Sequence, residues 1–562
     1  MNEFDAIVVG SGVSGGWAAK ELCEKGLKTL VLERGRMVKH IEDYPTMNLD
    51  PWDMKHGGAT PKKTMSRYNK QKRWGFNETT RHFFNDDSEH DYDEVKPFDW
   101  IRGKQVGGRS LIWGRQTYRW SDLDFEANAK DGIGIDWPIR YKDIKPWYEY
   151  VEKHIGVSGE SLGLSYLPDS VFLKPMELTC VEEHLKKSIS ENYKDRLLTI
   201  GRVAHITEGT KPGAGRVNCQ FRNRCSRGCP YGAYYSSVSS TLPMAEATGN
   251  MTLRANSIVS EILYDKKTKK ASGVKIVDAI SKETIEYKSK IIFLCASSIA
   301  SSAILMQSKS DVFPNGMGNK SGELGHNIMD HQLGAGVSGA IDGYLDKYYT
   351  GRRPNGIYIP RFRNLNNKSE KVDFLRGYGY QGGSARGTSY WQQGVAEYSY
   401  GEDLINEVIN PGGWNFGMGG FGEVLPYHEN HFILNYDKID QYGLPTIVFD
   451  AEFKENEKLM KEDWLTQGEE MLDAAGFKNI NRFDSNAPIG KGIHEMGTAR
   501  MGHDPKTSVL NKNNQLHEVS NVFVTDGACM TSAGNQNPSL TYMALTARAV
   551  NYAVSELKKM NL

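Results

Sequence analysis

DAIVVGSGVSGGWAAKELCEKGLKTLVLE, residues 5–33, is the stretch that decides the fold. Asp5–Val9 is a short apolar run, suited to a strand buried on both faces of a parallel sheet. Glycines follow at 10, 12, 15 and 16, and Trp17–Lys25 then sets Ala18, Ala19 and Leu22 on one side, which predicts a helix closed by Gly26. Thr29–Glu33 is a second strand that ends in a carboxylate. Strand, glycine loop, helix, strand and acid, in that order, make the β-α-β unit that cradles a dinucleotide. Gly10 permits the tight turn, Gly12 lets a pyrophosphate approach the backbone, and Gly15 lets helix and strand pack closely. The helix N-terminus supplies N–H groups for the phosphates. Glu33 is suited to accept hydrogen bonds from ribose hydroxyls, and an acid at this place argues against a 2′-phosphate. The loop alone does not separate FAD from NAD.

The rest of the chain sets bounds on what surrounds this unit. At 562 residues, several domain-sized units fit. Lys+Arg and Asp+Glu both number 69, so no global charge draws the protein to nucleic acid or to an anionic membrane. Gly numbers 58 of 562, about one in ten and above the usual ~7%, which points to many tight turns or close backbone approaches to a ligand. No run of 18 apolar residues predicts a membrane span, and the first residues lack the basic and apolar regions of a signal peptide. Residues 36–95 show no period and read as an excursion. Residues 136–157 predict a turn and an amphipathic helix, 251–294 predict strands, and 340–450, rich in Gly, Tyr and Trp, predict β-sheet with polar loops. Asn521–Thr525 reads as a buried strand and Ser539–Leu557 as a long helix.

A second glycine segment, Val106-Gly-Gly-Arg-Ser-Leu-Ile-Trp-Gly114, is followed by Arg119 and Asp124-Phe125. Further motifs are Trp137-Pro-Ile-Arg-Tyr141, Gly318-Asn-Lys-Ser-Gly322, Gly325-His-Asn-Ile-Met-Asp-His331, His494-Glu-Met-Gly-Thr-Ala-Arg-Met-Gly502, Val524-Thr-Asp-Gly527 and Asn537-Pro-Ser-Leu-Thr541. In this order the chain resembles the glucose–methanol–choline (GMC) family of flavin oxidoreductases, most of all the catalytic subunits of bacterial FAD-dependent sugar and glucoside dehydrogenases.

The resemblance implies an α/β fold. A discontinuous Rossmann-like FAD domain (1–40, 95–125, 210–335 and 490–562) would combine with a substrate domain built on a large antiparallel sheet with flanking helices (41–94, 126–209 and 336–489). Glu33 would hold the adenosine ribose. Gly107, Gly108 and Ser110 would lie along the flavin, the Val259 backbone would meet the adenine, and Asp526 would bind the ribityl or pyrophosphate region. Some relatives attach FAD covalently through a His at the position of Ile112, so a non-covalent flavin is expected here.

The resemblance also implies that His494 and Asn537 face the reactive edge of the flavin. Alcohol oxidation removes the hydroxyl proton and moves a hydride to flavin N5. A neutral His can take that proton. An Asn cannot titrate, but its amide can hold the substrate oxygen. His494 is therefore assigned as base and Asn537 as its orienting partner. His331 and His503 read as structural, and His428 and His431 receive no role.

Cys219, Cys225 and Cys229, with Pro230 after the last, suggest an iron–sulfur cluster whose thiolates Arg222, Arg224 and Arg227 would favour. The segment resembles the cysteine-bearing stretch of the sugar dehydrogenases, yet other GMC proteins carry metal-free Cys-rich loops there, and both readings stay open. Tyr378, Tyr380, Trp391, Tyr398, Tyr400, Trp414 and Phe416 suit either sugar stacking or sheet packing.

The function expected is a glucoside 3-dehydrogenase-like oxidation of a secondary sugar hydroxyl to a ketone. Electrons would pass to an acceptor other than oxygen, such as a cytochrome c-type protein. A small export subunit would carry the chain to the periplasm, in preference to a cytoplasmic home. The alternatives are an oxygen-using alcohol or sugar oxidase, a GMC-fold lyase with non-redox flavin, and a non-catalytic electron-transfer or assembly subunit.

Overall fold

The computed structural model describes residues 3–562 except 73–74, 90–91, 350, 352–355, 367–368, 387–399, 403–404 and 406–411. Strand Glu3–Val9 lies parallel to Thr29–Leu32 on one side and to the end of Thr284–Leu294 on the other. Met251–Arg254 extends the parallel array beyond Thr29–Leu32, and Val522–Val524 extends it beyond Thr284–Leu294. The register pairs Ile7 with Ile292 and Val8 with Val31, so both faces of these strands are apolar and both are covered. All five parallel strands end on the same edge, where Gly10, Glu33 and Cys295 follow directly and Asp526 follows one residue later. Ligands of open α/β sheets bind beyond that edge. Ser257–Asp265 and Lys270–Asp278 complete the sheet as an antiparallel extension.

A second seven-stranded sheet is antiparallel throughout. Its centre is formed by Ala335–Ile341, Trp414–Glu423 and Tyr378–Arg386. The 20-residue helix Glu455–Ala474 covers one face, and Cys180–Asn192 packs beside it. Side chains alternate across the strands. Tyr378, Tyr380, Phe416 and Met418 are buried with Trp464 in one core, and Tyr380 donates its hydroxyl to the Trp464 carbonyl. Gly420 and Gly422 exist because a Cβ at either would lie under 3 Å from the Trp464 ring. The opposite face turns Gln381 and Phe421 toward the edge of the first sheet. No helix among the described residues is long and apolar enough to cross a membrane.

The expected strands and the helices at 141–155 and 539–558 are present. Among the described residues, 36–95 contain short helical turns and the strand Tyr92–Glu94, which pairs with Pro445–Asp450. Tyr378, Tyr380 and Phe416 serve packing, while Tyr400 is 92% exposed. Trp391 and Tyr398 lie outside the described residues.

Candidate active site

A cavity of about 1160 Å³ opens along the carboxyl edge of the parallel sheet and continues under the second sheet. It exceeds the ~300–1,000 Å³ of a typical small-ligand pocket, so it has room for a dinucleotide and a substrate together. Gly10, Ser11, Gly12, Val13, Ser14, Glu33, Ser257 and Val259 line one end. Gly10 has φ +97°, and a Cβ there would lie 2.3 Å from the Cys295 carbonyl oxygen. A Cβ at Gly15 would lie 2.0 Å from the Gly10 oxygen, which is the close helix–strand contact the spacing predicts. At Gly12 a Cβ would meet no described atom within 4 Å.

The polar groups at this end await a partner. Gly12 caps the helix Val13–Glu24 without a side-chain bond and without an acid in the first turn, which leaves its N–H groups to an anion. Ser14 is buried, and its hydroxyl has no partner among the described residues. Glu33 is 7% exposed, accepts from the Ser11 hydroxyl at 2.5 Å and from the Gly35 N–H at 3.0 Å, and burial raises its pKa. An open glycine, an orphaned hydroxyl and a buried carboxylate fit the phosphates and ribose of a dinucleotide.

Farther along, Gly108, Ser110 and Asp526 line the cavity. Gly107 does not. It turns at φ +91° against Val238 and gives its N–H to the Ser11 hydroxyl at 3.0 Å, which joins the two glycine segments. Asp526 accepts from Ser301 Oγ at 2.5 Å and from the Ala528 N–H at 3.0 Å, and burial pushes it up to about 6. Ile112 lines the wall and offers no nucleophile.

His494 and Asn537 line this same cavity. The loop that carries His494 is stapled by the buried Asp330, whose carboxylate accepts from the backbone N–H of Gly490, Gly492, His494 and His331 at 2.8–3.0 Å. Burial and the neighbouring Glu495 push Asp330 up to about 7 against the pull of those four donors. Glu495, 1% exposed along its side chain, takes a two-pronged ion pair from Arg109 at 3.1 and 2.8 Å. His494 Nδ1 lies 2.8 Å from Nδ1 of His331. Asn537 Oδ1 accepts from Gln381 Nε2 at 2.6 Å. Asp330, Arg109, Glu495 and Gln381 escape the sequence reading, and His331, read as structural, is a buried neighbour of His494. Beyond Asn537 the walls are Gln116, Thr179, Glu182, Ser384, Arg386 and Trp414. Glu182 accepts from the Ser384 and Thr179 N–H groups at 3.0 and 2.8 Å. The capping box Thr179…Glu182 was a readable signal of that helix.

The three cysteines, Cys219, Cys225 and Cys229, are free thiols in the structure. Among the described residues no group of three or more His, Cys, Asp or Glu side chains is placed to hold a metal ion. The arginines expected to stabilise thiolates point elsewhere: Arg222 to the Met47 carbonyl and Asn48, Arg224 to Asp50, and Arg227 to the Leu49 carbonyl. Burial pushes the Cys219 thiol up to about 11 and raises Cys229. The expected iron–sulfur cluster therefore finds no support among the described residues.

Family models described as GMC oxidoreductase match residues 4–333 and 434–546. The chain belongs to the GMC oxidoreductases. It is an FAD-dependent enzyme of the kind that oxidises CH–OH groups. Among curated GMC relatives, the fructose dehydrogenase large subunit of Gluconobacter japonicus is 25% identical over 99% of this chain and 98% of its own length. The 2-methyl-1,2-propanediol dehydrogenase of Mycolicibacterium austroafricanum is 27% identical over 98% and 95%. A solved structure of Aspergillus oryzae RIB40 formate oxidase, from work on FAD modification, has a TM-score of 0.62 at 14% identity and covers 99% of both chains, which shows the shared fold.

Proposed function

We propose that this GMC enzyme is an FAD-dependent dehydrogenase that oxidises a secondary hydroxyl of a sugar or glycoside to a ketone, like a glucoside 3-dehydrogenase. One observation carries the reading: His494 and Asn537, though distant in sequence, line a single cavity with Gly12 and Glu33. FAD bound there supplies a two-electron acceptor for the hydride of the carbinol carbon. Glu33 receives the ribose hydroxyls, the N–H groups after Gly12 receive the pyrophosphate, and Gly108 and Asp526 border the remainder. His494 takes the hydroxyl proton. Gln381 occupies Asn537 Oδ1, so the Asn537 amide acts through its N–H donor on the substrate oxygen and orients the carbinol carbon.

The outer walls support a polyol. Gln116, Thr179, Glu182, Ser384 and Arg386 line them with donors and acceptors. The fructose dehydrogenase relative, a large subunit by name, supports both a sugar substrate and a partner chain that drains electrons to an acceptor other than oxygen. That partner would also bring the chain to the periplasm. The test is an absorption spectrum of the purified holoenzyme, recorded anaerobically before and after D-fructose, D-glucose and methyl glucosides, and again after air is admitted. Bleaching by a sugar with slow recovery in air is the expected result. Rapid recovery in air identifies an oxidase, and no bleaching by any sugar removes the proposal.

A further inference from the structure

His331 is fully buried, and its two ring nitrogens have different partners. Nε2 lies 2.8 Å from the carbonyl oxygen of Gly534. A carbonyl only accepts, so Nε2 carries a hydrogen. Burial pushes the His331 pKa down to about 4, so the ring is neutral at physiological pH and Nδ1 carries no hydrogen. That bare nitrogen lies 2.8 Å from Nδ1 of His494. Two ring nitrogens at this distance need one hydrogen between them, and only His494 can supply it. The ring centroids lie 4.9 Å apart, with the planes at 81° to each other. The adjacent Asp330 holds the same pair by the backbone, through the N–H groups of His331 and His494.

We propose that His331 is a positioning residue that locks His494 in the Nδ1–H tautomer and so makes Nε2 of His494 the nitrogen that accepts the substrate proton. The inference rests on the reading of His494 as base. The proton balance is closed: the substrate O–H breaks, Nε2 gains the hydrogen, and the resulting imidazolium keeps its Nδ1–H on the neutral His331. A carboxylate in the place of His331 would also hold this tautomer. A neutral imidazole does so without placing a further carboxylate beside Glu495 and Asp330 in a buried site.

Side-chain ¹⁵N NMR of histidine-labelled holoenzyme tests the lock directly, with His494 assigned by its loss in His494→Asn. In the wild type the Nδ1 signal of His494 should be the protonated one, and a protonated Nε2 with bare Nδ1 overturns the proposal even if no variant folds. His331→Gln keeps an acceptor for His494 and a donor for Gly534, whereas His331→Phe keeps neither. The Phe variant should lose the fixed tautomer and slow anaerobic flavin reduction on the order of 10²-fold at saturating sugar. The Gln variant should restore the tautomer and recover at least about tenfold of that loss. An unchanged tautomer in His331→Phe, or equal rates in the two variants, contradicts the lock. Failure of the base assignment appears separately, as a His494→Ala enzyme that still bleaches at the wild-type rate while the tautomer signal is as proposed.

Discussion

Gln381 donates from Nε2 to Oδ1 of Asn537 at 2.6 Å, a bond between the middle of the second sheet and the loop that precedes the last helix. It ties the substrate side of the cavity to the cofactor side. It also decides which end of the Asn537 amide faces a ligand. Gln381→Glu leaves only acceptors at this place, so the amide must turn its N–H groups toward residue 381. The predicted loss in kcat/KM is about 10–100-fold, from ~1.5–3 kcal/mol for a hydrogen bond beside a charge. Gln381→Leu should lose less, since it removes the bond without forcing the flip. Steady-state kinetics that rank Leu as the worse variant would contradict the orientation.

Gly12 and Gly15 look alike in the sequence and differ in surroundings. Gly12→Ala adds a Cβ that meets no described atom within 4 Å, so thermal stability of the flavin-free protein should change by under ~1 kcal/mol. The same methyl stands in the phosphate path and should weaken FAD retention at least about tenfold. Gly15→Ala places its Cβ 2.0 Å from the Gly10 oxygen and should destabilise the fold by about 1–3 kcal/mol or more. Equal thermal shifts for the two variants, read with flavin content, would show that Gly12 does not face a ligand.

Arg109 and Glu495 join the flavin-side segment to the His494 loop. Arg109→Ala orphans a buried carboxylate and should cost about 3–5 kcal/mol of unfolding free energy. In the double variant with Glu495→Gln part of that cost should return, because no unpaired charge remains. Denaturation in which the two losses simply add would remove the coupling.

His154 is buried against Trp17 and bonded to Ser240 Oγ at 3.0 Å. Burial, then Lys20, pushes its pKa down to about 3. A depressed base binds its proton more readily in the unfolded chain, so its contribution is complete above the unfolded value of ~6.5 and falls as pH drops toward the folded one. Between pH 6 and 4 the stability advantage of wild type over His154→Gln should shrink by roughly 1.4 kcal/mol per pH unit. An advantage that is flat or grows in acid would contradict a neutral buried ring.

The nucleotide end was legible because its signals are local: period, glycine spacing and the terminal acid all sit within residues 5–33. The pairings that finish the site are not local. His331 meets His494 and Gln381 meets Asn537 only through the register of the antiparallel sheet and the Asp330 staple, and no spacing in the chain announces either. The aromatic run at 378–416 resembled a sugar platform, yet strand alternation sends Tyr378, Tyr380, Trp414 and Phe416 into the core, and of these only Trp414 also borders the cavity. The cysteine spacing suggested a cluster. Arg222, Arg224 and Arg227 contact residues 47–50, pairings that only the folded chain displays.

The central claim is that the His494 imidazole takes the substrate proton in a cavity shared with the cofactor. Rapid-mixing measurement of anaerobic flavin bleaching in His494→Ala, with FAD content matched to wild type, tests it most directly. The account predicts a rate at least about 10²-fold lower at saturating sugar. A rate equal to that of the wild type would contradict it.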